Sequence, residues 1–181
     1  MKLMIASDIH GSAYYCNKLI EAYENEKPDK LVLLGDILYH GPRNDLPREY
    51  SPKAVISTLN ELKNNILCIR GNCDTEVDQM VLSFPVLADY GVLFVDGRNI
   101  YITHGHKYNE GNPLPMGKGD VMMNGHTHVP KFVEYETYTF INPGSVSIPK
   151  ENSPHSYVII EGEECVFKDV ETLKEYDRHR L

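Results

Sequence analysis

No stretch of this sequence approaches the ~20 consecutive apolar residues that a membrane-spanning helix needs. The apolar start, Met1 to Ala6, runs at once into Ser7-Asp8; it is too short for a secretory leader and lacks a cleavage site. There is no CxxC pair, and Cys16, Cys68, Cys73 and Cys165 read as reduced thiols of a cytoplasmic protein. Basic residues are in the minority, 18 against 26 acidic ones, for a formal net charge of −8. General nucleic-acid binding is therefore not expected, although a local positive pocket stays open. Ser/Gly-rich linkers, internal repeats and low-complexity tracts are absent, so residues 1–181 read as a single domain. At 41% hydrophobic and 24% charged residues, the balance is globular and excludes wholesale disorder.

What is present begins as alternating strand and helix patterns. Lys2 to Ser7 is a short apolar run ending in polar residues, as a buried strand does. From Ser12 to about Glu26, Tyr15, Leu19 and Tyr23 recur at spacings of four and predict a helix. A second strand, Lys30 to Leu34, stops at Gly35-Asp36 and is followed by a Gly-, Pro- and Asn-containing loop from Tyr39 to Tyr50. Ser51-Pro52 marks a helix start, with Ser51 expected as side-chain cap and Val55, Leu59 and Leu62 as the buried stripe. A third strand, Ile66 to Ile69, ends at Arg70-Gly71-Asn72. Beyond it, seven short β runs are expected, at 92–95, 99–103, 121–123, 131–135, 137–141, 157–160 and 165–170, separated by turns such as Asp96-Gly97 and Glu161-Gly162. Strand–helix units followed by a β-rich half indicate an α/β fold with two packed sheets.

The chemistry-bearing residues gather where strands stop. Strand ends run into Ser7-Asp8-Ile9-His10-Gly11, Gly35-Asp36, Gly71-Asn72-Cys73-Asp74, Thr103-His104-Gly105-His106 and Asn124-Gly125-His126-Thr127-His128. In open α/β sheets ligands bind outside the carboxyl ends of strands, so residues distant in sequence would converge. Asp, His and Asn all coordinate divalent metals, and adjacent glycines let the chain bend tightly. Each motif alone is ordinary turn chemistry: an Asp or Asn in a turn, or a hydrogen-bonded structural histidine. Their conjunction predicts a metal site.

The ordered set Asp8-x-His10, Gly35-Asp36, Gly71-Asn72-x-Asp74, His104 and Gly125-His126-x-His128 resembles the calcineurin-like metallophosphoesterases. The likeness runs from Asp8 to about Lys150. His40-Gly41-Pro42-Arg43-Asn44 and the segment from Asn142 to Lys150 are similar to a small phosphodiesterase subfamily within that family. The resemblance implies two packed mixed β-sheets flanked by helices, an αββα sandwich with two divalent metals at one edge. It implies Asp8, His10 and His128 on one metal, Asn72, His104 and His126 on the other, and Asp36 bridging both. The activity implied is hydrolysis of a phosphodiester bond by a hydroxide activated by the two metals. Manganese is the implied metal, with magnesium, zinc, nickel and iron equally compatible with mixed N/O ligands. The carboxylates of Asp8 and Asp36 would leave two divalent ions net positive, a point of attraction for a phosphate ester on an acidic protein.

Other residues carry a functional and a structural reading side by side. Many members of the wider family have a histidine directly after the motif asparagine; here Cys73 stands there, a packing residue or a weak catalytic partner, but not a nucleophile. Asp74 would orient a neighbour of the Asp36 and Asn72 catalytic pair, or cap the following helix. Arg43 and Asn44 lie on a loop able to reach a substrate phosphate, and Arg70 is a further candidate. His40 and His106 are near-site helpers or merely exposed, while His155 and His179 read as surface residues. Asn142 to Ser145 reads as a sharp turn. The expected partner is a small phosphodiester, with no membrane involved and a homo-oligomer left open. Two rivals remain: a non-catalytic scaffold of the same fold, as in the retromer coat, and a phosphomonoesterase using the same ligands. The intact ligand set favours catalysis over the scaffold, and the scarcity of basic clamps disfavours the monoester.

Overall fold

In a computed structural model describing Met1–Leu181, eleven strands form two mixed sheets with three helices. The first sheet has the order β11-β10-β9-β1-β2-β3. Its strands are β1 (Lys2–Ala6), β2 (Lys30–Leu33), β3 (Ile66–Cys68), β9 (Ser156–Glu161), β10 (Glu164–Asp169) and β11 (Glu175–Arg180). Strands β1, β2 and β3 run parallel, and β9, β10 and β11 continue the sheet antiparallel. The second sheet, β4-β5-β6-β8-β7, uses β4 (Tyr90–Val95), β5 (Arg98–Thr103), β6 (Asp120–Met123), β7 (Pro130–Glu134) and β8 (Tyr138–Pro143), with β5, β6 and β8 mutually parallel.

Alternation along the strands builds two cores at once. Leu3 and Ile5 of β1, Val32 of β2 and Val158 and Ile160 of β9 face the second sheet, where they meet Ile100, Ile102, Val121, Met123 and Ile141. The intervening Met4, Ala6, Leu31, Leu33, Tyr157 and Ile159 face the helix layer. There α1 (Ala13–Glu26) and α2 (Pro52–Glu61) supply Cys16, Leu19, Ala22, Val55 and Leu59. A strand buried on both faces must be apolar throughout, which is why β1 and β2 read as unbroken apolar runs. On the outer face of the second sheet, Met122, Tyr138 and Phe140 pack against Tyr108 and Met116 of the irregular 104–119 segment.

The helix entries differ in mechanism. Ser12 caps α1 through its hydroxyl, which accepts from the Tyr15 N–H at 3.2 Å. Ser51, expected to do the same for α2, makes no side-chain cap bond. Its N–H is instead engaged with the Gly11 carbonyl at 2.8 Å, and its own carbonyl accepts from Ala54 and Val55, with Pro52 at the first helical position. The short α3 (Glu76–Val81) is entered at Thr75, whose N–H donates to Asp78 at 2.6 Å.

One strand escapes the sequence pattern. The segment forming β11, Glu-Tyr-Asp-Arg-His-Arg, has no apolar alternation because nearly all of it is exposed. It holds by pairing with β10 and by ion pairs from Arg178 to Glu164 and Glu175 and from Arg180 to Glu163. A charged edge of this kind also resists further strand addition. His179, read as an ordinary surface residue, is instead stacked on Phe132 with centroids 4.0 Å apart, joining the edges of the two sheets. His155 is likewise no free surface group: it stacks on Tyr15 at 3.8 Å, and its Nδ1 lies 2.8 Å from the Val146 carbonyl.

Candidate metal centre

Parallel pairing of β1, β2 and β3 brings their carboxyl ends side by side, and the loops beyond them are knitted by the backbone. Asp8 N–H donates to Gly35 O at 3.1 Å, His10 N–H to Asp36 O at 2.9 Å and Gly11 N–H to Ile37 O at 2.8 Å. The loop after β6 joins them where the His126 N–H donates to Asp8 Oδ2 at 3.0 Å. The approach is so close that two motif glycines have no room for a side chain. A Cβ on Gly71 would lie 2.1 Å from Asp36 Oδ1, and one on Gly125 would lie 1.9 Å from Ser7 Oγ and 2.6 Å from Asp8 Oδ2.

Asp8, His10, Asp36, His126 and His128 all adopt positive φ, between 49° and 68°. That conformation costs a non-glycine residue about 1–3 kcal/mol and persists where the surrounding structure enforces it, commonly at functional sites. Here it turns five side chains from successive strand ends toward one point.

The ring nitrogens show how the histidines are oriented. Nδ1 of His10, His104 and His128 lies 2.7, 2.7 and 2.6 Å from the carbonyls of Tyr39, Leu34 and Ile148. A carbonyl can only accept, so each Nδ1 carries the proton and each Nε2 presents a lone pair to the interior. Those Nε2 atoms then meet other acceptors. His10 Nε2 faces His128 Nε2 at 3.3 Å, and His128 Nε2 is 3.2 Å from Asp8 Oδ1. His104 Nε2 is 3.4 Å from Asp36 Oδ2, 3.1 Å from Asn72 Oδ1 and 3.2 Å from His126 Nδ1. His10 Nε2 also lies 3.7 Å from Asp36 Oδ2, which places Asp36 between the two halves of the cluster.

Lone pairs aimed at lone pairs at such distances call for a positive charge among them. Asp8 Oδ1, fully buried, has no hydrogen-bond partner at all. The donor atoms of Asp8, His10 and His128 lie within 4.8 Å of one another, as do those of Asp8, Asp36 and His104. These groups join five of the expected ligands, Asp8, His10, Asp36, His104 and His128, into a donor set suited to divalent metal, with Asn72 and His126 set against His104. Without a metal, protons on the rings take the place of that positive charge. Burial alone would raise the Asp8 carboxyl, yet the His10 and His128 rings hold it well below the usual carboxylate range. Asp36 is lowered in the same way, against its burial, by His104. His104, which burial would lower, is pushed up to about 9 by Asp36 and Asp8. His126, farther from the carboxylates, is lowered by burial and by His104.

The remaining candidates divide. Asp74 is buried and accepts three backbone N–H groups, from Asp36 at 2.8 Å, Ile37 at 2.9 Å and Gly71 at 2.7 Å. It orients the Asp36 loop, and the cap of α3 falls to Thr75 instead. Cys73 receives the Asn72 amide N–H on its Sγ at 3.3 Å; burial and then the Asp36 carboxylate push its thiol up, so it stays protonated. Arg43 and Asn44 line a cleft of about 440 Å³ that opens over His10, Asp36, Asn72 and His126. Arg70 is not brought there: its Nε donates to the Asp74 carbonyl at 3.1 Å and its Nη1 is 3.9 Å from Glu76. His106 sits behind the cluster, its ring 5.5 Å from His104 and 6.3 Å from His126, and His40 packs edge-on against Tyr39 and Tyr50.

Sequence reasoning missed several groups that build the site. Lys150 and Thr127 line the cleft. The turn expected at Asn142–Ser145, with Ser147 just beyond it, does approach the site. Ser145 and Ser147 hydroxyls both donate to the Asp8 carbonyl at 3.0 Å, and the Asn142 amide donates to Gly125 O at 2.8 Å. The only sequence cue to these roles was the polar run Asn-Pro-Gly-Ser-Val-Ser at the end of β8.

Comparison with known proteins agrees with this arrangement. The Calcineurin-like phosphoesterase superfamily domain matches residues 1–164. Phosphodiesterase YfcE of Escherichia coli (strain K12) is 42% identical over 163 residues, covering 90% of this chain and 89% of its own. Phosphodiesterase MJ0936 of Methanocaldococcus jannaschii is 27% identical over 151 residues, covering 80% and 83%. The solved structure of YfcE, a phosphoesterase from E. coli, superposes with a TM-score of 0.97 at 38% identity, covering 99% of both chains.

Proposed function

The chain belongs to the calcineurin-like phosphoesterase superfamily, and on that footing we propose that it is a metal-dependent phosphodiesterase acting on a small phosphodiester. The observation that carries the reading is the clustering of Asp8, His10, Asp36, His104 and His128, with Nδ1 of the three histidines held outward by backbone carbonyls. In this reading Asp8, His10 and His128 hold one divalent metal, Asn72, His104 and His126 the other, and Asp36 both. Bound there, the metals supply Lewis-acid polarisation of a phosphoryl group and a nucleophilic water at neutral pH. Manganese is the proposed native metal.

The protein's own groups do the rest. Asp36 is held by Asp74 through two backbone N–H groups of its loop and by the Cys73 N–H, which donates to Asp36 Oδ1 at 2.8 Å. Asn72 keeps its carbonyl oxygen toward His104 by donating its amide N–H to Cys73. Arg43 and Asn44 bind substrate from the cleft wall. Cys73 offers a neutral thiol, a weak hydrogen-bond donor that cannot match an imidazolium. A leaving group therefore departs with little proton assistance, and the site favours diesters of acidic alcohols or phenols. We place the protein in the cytoplasm on its four unpaired cysteines, and no helix is long and apolar enough to cross a membrane.

Hydrolysis of bis(p-nitrophenyl) phosphate and p-nitrophenyl phosphate by metal-stripped protein, resupplied with manganese, magnesium, zinc or nickel in turn, tests the reading. Diester turnover restored by metal and exceeding monoester turnover is expected, with manganese the strongest activator. Dominant monoester turnover would make the protein a phosphomonoesterase. Metal binding without turnover of either ester would leave a narrow substrate range or the scaffold.

A further inference from the structure

The cleft over the candidate ligands contains two cations that no protein group neutralises. Of the six arginines, five reach a carboxylate or a carbonyl: Arg48, Arg70, Arg98, Arg178 and Arg180. Arg43 makes no ion pair and no hydrogen bond, and it lines the cleft. Lys150, equally unpaired, lines the same cleft from another part of the chain. Unpaired lysines occur elsewhere on the surface, but in a protein with a formal net charge of −8 a free arginine and a free lysine at one cleft make a local site for an anion.

Both are carried on backbone tied to the candidate ligands. The Lys150 N–H donates to the His128 carbonyl at 3.2 Å. Gly41, with φ of +80°, lies so near Cys73 that a Cβ would be 3.4 Å from its Sγ, and the Asn44 amide closes the turn on the His40 carbonyl at 2.8 Å. Arg43 therefore extends from a turn seated against Cys73.

A phosphodiester carries one negative charge, and two divalent cations against Asp8 and Asp36 already leave the centre positive. Arg43 and Lys150 exceed what a diester with neutral arms requires. The cleft is also poorly suited to an apolar or aromatic arm: apart from Pro42 and Cys73 its lining is polar or glycine, and no Phe or Tyr lines it. A nucleobase would find none of the aromatic platforms on which bases stack.

We propose, building on the phosphodiesterase reading above, that the substrate is a diester with a second anionic group, carboxylate or phosphate, on one arm, read by Arg43 and Lys150. Arginine offers a planar fork that bonds either oxyanion with two parallel N–H groups, and lysine adds a mobile point charge.

The test uses p-nitrophenyl diesters that share one leaving group and differ in the other arm: ethyl, 2-carboxyethyl, 2-phosphoethyl and choline. With manganese-loaded protein, kcat/KM for at least one anionic arm is expected to exceed that for the ethyl arm about tenfold, the factor of one charge-assisted hydrogen bond. The difference should lie mainly in KM and shrink with added salt. Whichever anionic arm is faster identifies the group. In Arg43→Gln and in Lys150→Gln the anionic-to-ethyl ratio should fall about fivefold, a measure unaffected by any general loss of turnover. Preference for the ethyl or choline arm, or a ratio unchanged in both variants, overturns the proposal while leaving the diesterase reading intact. Failure to cleave any of the four, and bis(p-nitrophenyl) phosphate as well, overturns both.

Discussion

Asp74 Oδ2 accepts the backbone N–H of Asp36 at 2.8 Å, so a buried carboxylate beyond the neighbouring strand sets the position of the carboxylate at the centre of the donor cluster. Its other bonds, from Ile37 and Gly71, tie the ends of β2 and β3 into one unit. Replacing Asp74 with Ala strands three buried donors. A loss of about 2–4 kcal/mol in urea unfolding is expected after partial relaxation, together with reduced metal content. Asp74→Asn, which keeps one acceptor, should fall between. Wild-type stability and metal content in the Ala variant would show that the Asp36 loop needs no such support.

Asp36 and His104 carry the sharpest consequence for the site. Asp36→Ala or His104→Ala should abolish most diester hydrolysis and lower bound metal per chain, measured by elemental analysis, while far-UV circular dichroism stays near wild type. Neither side chain belongs to the apolar cores that hold the sheets. Full activity with unchanged metal stoichiometry in Asp36→Ala would remove it from its central role.

Cys73 can be separated from nucleophilic catalysis by one atom. Burial and Asp36 keep its thiol protonated, so Cys73→Ser is expected to retain turnover within about threefold of wild type. Complete loss in a well-folded, metal-loaded Ser variant would reinstate the thiol as an essential group.

A second ionic site, remote from the cleft, governs acid stability. Glu26 lies 2.9 Å from Lys2, pairs with Lys168 and accepts from the Tyr157 hydroxyl at 3.3 Å, joining the end of α1 to β1, β9 and β10. Burial would raise its carboxyl, but Lys168 and Lys2 outweigh it and hold it below the ordinary value of 4.5. A depressed folded-state pKa means stability that is present above the unfolded value and lost as pH falls through the folded one. Glu26→Gln should therefore cost about 1 kcal/mol at neutral pH, and the gap to wild type should close as the pH falls below the ordinary carboxyl value of 4.5. Urea unfolding at several pH values reads this directly; a gap independent of pH would assign the effect to packing.

Much of this was legible residue by residue. The apolar runs of β1 and β2, the helical spacing of Tyr15 and Leu19, and the placing of Asp, Asn and His beside glycines at strand ends are local features, and local periodicity and turn chemistry suffice to read them. β11 was not legible, because a charged, solvent-exposed edge strand carries no alternation and exists through pairing with β10. The side-chain cap expected at Ser51 is absent, and the residue is held instead by its backbone N–H on the carbonyl of Gly11, distant in sequence. Arg70 and Arg43 look alike as basic residues near motifs, yet one is bound by the Asp74 carbonyl and the other is free at the cleft.

The candidate donors were thus offered by the sequence itself, which sets Asp, Asn and His at those strand ends, though it did not separate them from Asp74 and His106 beside them. Their common focus was decided by the tertiary structure. It needs parallel pairing to align the strand ends, left-handed turns to aim the side chains, and carbonyls of Tyr39, Leu34 and Ile148 to fix which ring nitrogen faces inward. The strand pairings and the ring–carbonyl bonds join residues far apart in the chain, and only folding brings those partners together.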